Sequence, residues 1–79
     1  MKEEIEELTL LLLYLTGWEE KEKYVPSPLY RSWKGYPFES LNKLEEKGLI
    51  TQGRKSKSVC LTEEGINRAE GLKKKYKIT

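Results

Sequence analysis

The fold is decided by the stretch Phe38–Gly65, FESLNKLEEKGLITQGRKSKSVCLTEEG. Apolar residues recur in its first part at helical spacing, directly after Pro37, which suits a first helical position. We therefore predict a helix over residues 37–47. Gly48 suits the left-handed residue that often follows a helix end, and Lys47 suits the negative end of the helix dipole.

The second part of this stretch predicts a hairpin over residues 49–62. Its two arms contain β-branched residues and flank a polar turn around Gly53. Thr62 is a good N-cap, and the two glutamates after it suit the first turn of a helix. We predict that this last helix covers residues 63–77.

Residues 1–16 also predict a helix, because strong helix formers open it with glutamates in the first turn. One apolar stripe has helical spacing and consists of Ile5, Leu8, Leu12 and Leu15. Further leucines extend the apolar surface to the other sides, so the helix must be covered on more than one face. Either its own domain wraps it, or part of it forms a dimer interface.

The segment between residues 17 and 36 has no clear periodicity. Pro26 and Pro28 exclude a long helix, but a short one over Leu29–Lys34 fits, with Ser27 as its cap and Gly35 at its end. The predicted order is then helix, short helix, helix, hairpin, helix. This order indicates a single winged helix-turn-helix domain over residues 1–79, mainly α (α+β), with one two-stranded hairpin as the wing.

The composition argues against catalysis. The 79 residues include no histidine, no aspartate and one cysteine, so a Cys/His metal site is excluded, and no Gly-rich phosphate loop is present. Cys60 lies in the middle of a predicted strand and is expected to be a small buried or half-buried residue. We expect no enzymatic activity and no cofactor.

The chain opens without a basic segment before an apolar run, and the run Leu10–Leu15 is far shorter than the ~20 residues that span a bilayer. A cytoplasmic protein without a membrane segment is therefore expected. A domain of this size buries only a thin core, so oligomerisation is a natural way to bury more surface.

Charge is unevenly distributed although the formal net charge is only +2. Residues 1–25 contain seven Glu and three Lys, whereas residues 26–58 contain seven Lys or Arg and three Glu. The acidic beginning and basic middle predict a polar molecule with one face suited to a polyanion.

The predicted hairpin tip contains three cations, Arg54, Lys55 and Lys57, interleaved with Ser56 and Ser58. Cations on a protruding hairpin can contact phosphates or enter a minor groove, and hydroxyls can donate to phosphate oxygens. The alternative is a solvated turn whose charges keep the hairpin edge from aggregating.

The predicted helix 37–47 would be the recognition helix. Its candidate contact residues, expected to point outward, are Ser40, Asn42, Lys43 and Lys47. Glutamates balance the lysines on this helix, so it could equally be a solvent-facing helix with ordinary i,i+4 ion pairs such as Glu39–Lys43. Arg31 and Lys34, just before the helix, are further phosphate candidates.

Seven of the eight aromatic residues lie between residues 14 and 38. They are Tyr14, Trp18, Tyr24, Tyr30, Trp33, Tyr36 and Phe38. Such a cluster can stack bases or line a ligand pocket. It can also supply core area to a domain short of aliphatic residues, or form a dimer interface.

The second half of the chain resembles the MarR/PadR-type transcriptional regulators. The matching residues of the pattern are Leu41, Leu44, Glu45, Gly48, Leu49 and Ile50, then Leu61, Thr62 and Gly65. The resemblance implies a winged-helix fold with hairpin candidates Arg54, Lys55 and Lys57, but most matched positions are packing and turn residues. The whole chain also resembles a small uncharacterised prokaryotic family with the same core.

Two hypotheses follow. The first is a homodimeric transcriptional regulator that binds duplex DNA through a basic wing and a recognition helix, joined by its N- and C-terminal helices. The second is a protein–protein interaction module that keeps the winged-helix fold without binding DNA. RNA binding is a lesser option that rests on the aromatic residues alone. The sequence indicates neither operator nor effector.

Overall fold

A computed structural model describes residues 2–21, 29–53 and 56–78 of the chain. The elements are α1 (Lys2–Leu15), β1 (Trp18–Glu20), β2 (Leu29–Trp33), α2 (Phe38–Glu46), β3 (Ile50–Gln52), β4 (Ser58–Leu61) and α3 (Glu63–Lys75). The described strands form one antiparallel sheet in the order β1-β2-β4-β3, so the fold is mixed α+β. None of the helices in these ranges is long and apolar enough to cross a membrane.

The short helix predicted over Leu29–Lys34 is wrong, because this segment is strand β2. The expected two-stranded hairpin is correspondingly part of a four-stranded sheet. Tyr30 and Ser32 pair with the buried Leu61 and Val59 of β4, so alternate residues of β2 face the core. In the described part of the chain no helix therefore precedes α2 directly, as a helix-turn-helix would require.

The core lies between one face of the sheet and the three described helices. Its α1 members are Leu10, Leu11 and Leu13, each at most 2% exposed. Leucines of α2 and α3 and apolar residues of β3 and β4 complete the cluster. The Tyr30 hydroxyl donates to the Tyr14 carbonyl, which ties β2 to the end of α1.

The opposite side of α1 is open to solvent. Its apolar stripe is between 42% and 47% exposed at Ile5, Leu8, Leu12 and Leu15. The helix is thus apolar on two sides, of which its own chain buries one and leaves the other nearly half exposed. α1 was predicted to need cover on more than one face. One chain covers only the side that contains Leu10, Leu11 and Leu13.

Polar side-chain contacts join α3 to α1 at two places. The Tyr14 hydroxyl donates to Glu70 at 2.5 Å, while Lys75 Nζ and the Tyr76 hydroxyl donate to Glu7 at 2.8 and 2.9 Å. The hydrogen bonds from Lys75 and Tyr76 lower the pKa of Glu7. Because Ala69 and Leu72 of α3 are buried in the core, the apolar side of this helix is used within its own chain.

The junction between α2 and β3 is a Schellman motif. Gly48 has φ of 75°, its amide donates to Glu45 O at 3.0 Å, and the Leu49 amide donates to Leu44 O at 3.0 Å. The predicted stop at Gly48 is confirmed, and it turns the chain directly into β3.

Thr62 joins this junction to α3. Its hydroxyl accepts from the Gly65 amide at 3.0 Å, which confirms the predicted N-cap, and donates to the Gly48 carbonyl at 2.6 Å. The end of α2 and the beginning of α3 are therefore held by one side chain.

Replacing Thr62 with Ala should lower the free energy of unfolding by about 1–2 kcal/mol, since the cap and the donor to Gly48 are lost together. Replacing it with Ser, which keeps the hydroxyl, should recover most of this loss. Urea denaturation followed by circular dichroism measures both. Equal midpoints for the alanine variant and the wild type would contradict this role for the hydroxyl.

Candidate nucleic-acid interface

Two of the predicted cations meet at the turn of the β3–β4 hairpin (residues 50–61). Lys34 Nζ donates to the Gly53 carbonyl at 3.3 Å, and the Lys34 amide donates to the Lys57 carbonyl at 2.8 Å. Lys57 is exposed and Lys34 half-buried. Arg54 and Lys55, the other predicted cations of this turn, lie outside the described residues. The backbone after β2 thus continues the β2–β4 pairing, so that Lys34 lies against the hairpin.

Arg31 lies on the same strand but is held in the sheet. Its Nε is 3.0 Å from Glu20 Oε2, and its Nη1 donates to Ser58 Oγ at 3.3 Å. Only 23% of its side chain is exposed. Since Glu20 already neutralises the guanidinium, Arg31 is a weaker phosphate ligand than the two lysines next to it.

The outward placement predicted for Ser40 is wrong, because this residue is buried at 6% exposure. The burial of Ser40 follows from the helix period, since residue 40 lies one turn before Leu44 and beside Leu41, on the side of α2 that packs against the core. A buried hydroxyl at this position cannot contact a base or a phosphate.

Asn42 is exposed, as expected, but it contacts the hairpin. Gln52 Nε2 donates to Asn42 Oδ1 at 3.2 Å and lies 3.3 Å from Glu45 Oε1, while the Gln52 amide donates to Glu45 Oε2 at 3.1 Å. These bonds fix α2 against the base of the hairpin. Gln52 therefore connects the two predicted contact elements, a role that its position in a short polar strand did not reveal.

Lys43 of α2 and Lys47, its C-cap, have partners on different elements. Lys43 Nζ is 3.5 Å from Glu46 Oε2 on the same helix, whereas Lys47 Nζ donates to Glu6 Oε2 of α1 at 2.6 Å. Lys47 consequently belongs to the α1–α2 contact. Lys34, Lys57 and Arg31 thus lie around the hairpin turn. Lys43 on α2 and Lys47 directly after it are each paired with a glutamate.

The sheet face turned away from the helices is a feature that the sequence reasoning missed. We call it the open face, and its residues are Trp18, Glu20, Leu29, Arg31, Trp33, Thr51, Ser58 and Cys60. Cys60 is half-buried there, as predicted for a strand cysteine. The alternation of Leu29–Trp33 was the available signal, because it puts Arg31 and Trp33 on one side of a strand.

The aromatic residues divide between this face and the core. Tyr14, Tyr30 and Tyr36 pack against the core, which confirms the core interpretation for them. Trp18 and Trp33 instead contact each other on the open face, with ring centroids 5.0 Å apart. Phe38 is 75% exposed at the beginning of α2, and Tyr24 lies outside the described residues.

A shallow groove of about 380 Å³ runs along the open face beside the hairpin. The side chains that give it polar character belong to Arg31, Thr51, Ser56 and Ser58. Among the described residues, no His, Cys, Asp or Glu side chains group in a way that could hold a metal ion. The exposed Thr51 hydroxyl and the half-buried Ser56 hydroxyl of this groove can donate to an anion.

Comparison with known proteins gives a family for the whole chain. The chain is 36% identical over 72 residues to the uncharacterized protein y4hR of Sinorhizobium fredii (strain NBRC 101917 / NGR234). The matched segment covers 90% of this chain and 85% of that protein. No solved structure matches the chain. The family described as "Domain of unknown function (DUF6429)" matches residues 1–79, and the chain therefore belongs to that family.

Proposed function

We propose that this chain is a winged-helix protein of MarR/PadR-like type in which strand β2 takes the place of the helix before α2, and that it is a homodimeric transcriptional regulator that holds duplex DNA mainly through the β3–β4 hairpin. The observation that carries the proposal is the contact of Lys34 with the hairpin turn, where its Nζ lies 3.3 Å from Gly53 O and its amide 2.8 Å from Lys57 O. Two lysines thereby accompany the turn that also contains Arg54 and Lys55 in the sequence. Cations clustered around an exposed turn are suited to the phosphates of a duplex.

α2 has a smaller part in this proposal than a typical recognition helix. Ser40 is buried and Lys47 is paired with Glu6, so the exposed candidates for base edges are Asn42 and Lys43. Glu45 and Glu46 lie beside them and repel phosphate. Binding should therefore depend more on salt than on base sequence, since phosphate contacts give affinity and base contacts give specificity.

The dimer is proposed to form through α1. Its exposed stripe has the 3-4-3 spacing of a coiled-coil seam, whereas the apolar residues of α3 are buried in their own chain. A second copy of the chain could cover the stripe without any rearrangement of the fold.

The same stripe also favours a second candidate function, a protein–protein interaction module without DNA binding. The ion pairs of α2, which leave few free cations on that helix, agree with this alternative. The two candidates differ in one measurable property, which is the retardation of duplex DNA at low salt.

The test is the salt dependence of duplex binding by a variant that replaces Arg54, Lys55 and Lys57 with Gln. Fluorescence anisotropy with a labelled 30-bp duplex should show that the variant binds at least tenfold more weakly at ~50 mM salt. The slope of log affinity against log salt should become shallower by about 2–3, since each lost phosphate contact contributes about 0.9.

The matched control replaces Lys73, Lys74 and Lys77 with Gln, which removes the same formal charge from the C-terminal part of the chain. This control should keep nearly the wild-type slope. Equal losses in both variants would indicate only a net-charge effect and would overturn the assignment to the hairpin. A wild type that does not retard the duplex at ~50 mM salt would favour the interaction module.

A further inference from the structure

The open face carries an unusual amount of exposed aromatic surface for a small domain. Trp33 is 61% exposed and touches Trp18 with a tilt of 47° between the rings, so one side of Trp33 remains free. Exposed tryptophans that meet each other on a surface mark a binding site more often than isolated ones do. The proposed hairpin contact with a duplex makes no use of them.

The neighbours of Trp33 determine which ligand suits this surface. Its register partner in β4 is Ser58, which lines the polar groove, and the chain continues from Trp33 into Lys34. Lys34 in turn contacts the backbone of Lys57 and Gly53. The free side of an aromatic ring therefore lies next to hydroxyl groups and to one lysine, Lys34.

Charge is polarised along the open face. Glu20 of β1 pairs with Arg31 of β2, while at the hairpin end Lys34 Nζ lies 3.3 Å from the carbonyl of Gly53, which lines the groove. A ligand with a planar ring and a negative group beside it would match the hairpin end. A nucleotide has this chemistry, because its base stacks on aromatic rings and its phosphate accepts from hydroxyl and ammonium groups.

The groove has the dimensions for such a ligand. Its volume of about 380 Å³ falls at the lower end of the ~300–1,000 Å³ found for small-molecule sites. Ser56 Oγ and Ser58 Oγ are 3.1 Å apart, and Arg31 Nη1 donates to Ser58. Ser58 is buried at 8% exposure, whereas Ser56 is half-buried and can turn its hydroxyl proton toward a phosphate.

We infer that the open face binds a segment of single-stranded DNA, with one base stacked on the free side of Trp33 and the adjoining phosphate held by the Ser56 hydroxyl and Lys34. The choice of DNA over RNA rests on the proposed function, in which the neighbouring hairpin holds DNA. The bases of a paired duplex are stacked on one another, so their faces cannot reach Trp33, and the site selects unpaired nucleotides.

The test compares three ligands, a (dT)12 oligonucleotide, the 30-bp duplex and an (rU)12 oligonucleotide, with the wild type and Trp33 variants. Binding of (dT)12 should quench tryptophan emission in the wild type. Trp33→Ala should weaken (dT)12 binding about 5- to 100-fold, because base stacking on an aromatic ring has this magnitude. Duplex affinity should change less than twofold, and Trp33→Phe should keep part of the (dT)12 affinity.

Phe38→Ala is the matched control, since Phe38 is another highly exposed aromatic residue but lies at the beginning of α2. It should leave the affinity for (dT)12 unchanged. Circular dichroism of each variant verifies the fold, which an exposed side chain is not expected to affect.

The outcomes separate this inference from the proposed function. Trp33-dependent binding of (dT)12 without any duplex binding would support the open-face site and overturn the hairpin proposal. Duplex binding with no (dT)12 binding, or with a (dT)12 affinity that Trp33→Ala does not change, would overturn the inference alone. Trp33-dependent binding of (rU)12 that is tighter than that of (dT)12 would show that the ligand is RNA. A change of oligomeric state in Trp33→Ala, with unchanged (dT)12 affinity, would show that the open face is a protein interface. Either result would overturn the assignment to single-stranded DNA.

Discussion

Gly65→Ala should lower the melting temperature by roughly 15 °C, the largest loss of stability that we expect from a single methyl group in this chain. A Cβ at this position would overlap the Leu49 carbonyl oxygen and lie 2.9 Å from the Leu49 carbonyl carbon. Both are backbone atoms, so no side-chain rotation can make room. The same Leu49 oxygen accepts from the Thr62 amide at 3.0 Å, and moving it would disturb the beginning of α3.

The expected loss in unfolding free energy is about 3 kcal/mol, at the upper end of what overpacking costs. Gly71→Ala is the matched control, because Gly71 lies in the same helix and nothing lies within 4 Å of an added Cβ. That change should stabilise the protein by about 0.5–1 kcal/mol, as alanine favours a helix interior over glycine. Thermal unfolding of both variants at one protein concentration measures the difference. A Gly65→Ala variant as stable as the wild type would contradict the close approach of Leu49.

This crowding shows why the turns and caps of residues 38–65 could be predicted from the sequence, whereas a ligand could not. Gly48 provides the left-handed residue of the Schellman motif, Thr62 bonds to both helices, and Gly65 admits the Leu49 carbonyl. Each is a short-range requirement of the backbone that the sequence expresses directly. None of the three presents a side chain to a ligand.

β2 was not predictable in the same way. Pro28 suggested the first position of a helix, and the five residues after it are too few for their alternation to decide between helix and strand. What makes them a strand is pairing with β4, whose partner residues are 25 to 31 positions later in the chain. Long-range pairing overrode the local signal, as often happens for strands.

The candidate interface was predictable as a set of cations but not as an arrangement. Sequence alone identified Lys34 and Lys57 as phosphate candidates and Lys47 as a recognition-helix candidate. It did not reveal that Glu6 of α1 pairs with Lys47, or that the backbone after β2 brings Lys34 to the hairpin turn. The partners that decide which cations are available come from elements that are distant in sequence.

The exposed stripe of α1 leads to the second large effect, the loss of the proposed dimer. Each of its four residues exposes between 42% and 47% of its surface in one chain, so burial against a second copy would gain about 1 kcal/mol per side chain. In an antiparallel pair, Glu3 and Glu4 of one protomer would lie beside the uncharged second half of the partner's α1. In a parallel pair they would face the same glutamates, and we therefore favour the antiparallel arrangement.

Replacing Leu8 and Leu12 with Glu should convert the dimer to a monomer and weaken self-association about a thousandfold. The change removes four apolar side chains from the two-chain seam, about 4 kcal/mol in transfer free energy, and puts charges in their place. Sedimentation velocity over a range of protein concentrations measures the effect. The monomer should keep its circular dichroism spectrum, because both leucines are already about half exposed within one chain. Phe38→Glu, an equally drastic change at an exposed site off the seam, should leave the dimer intact. A wild type that sediments as a monomer at all concentrations would show that the stripe is not a self-association seam, and a partner of another kind would then have to cover it.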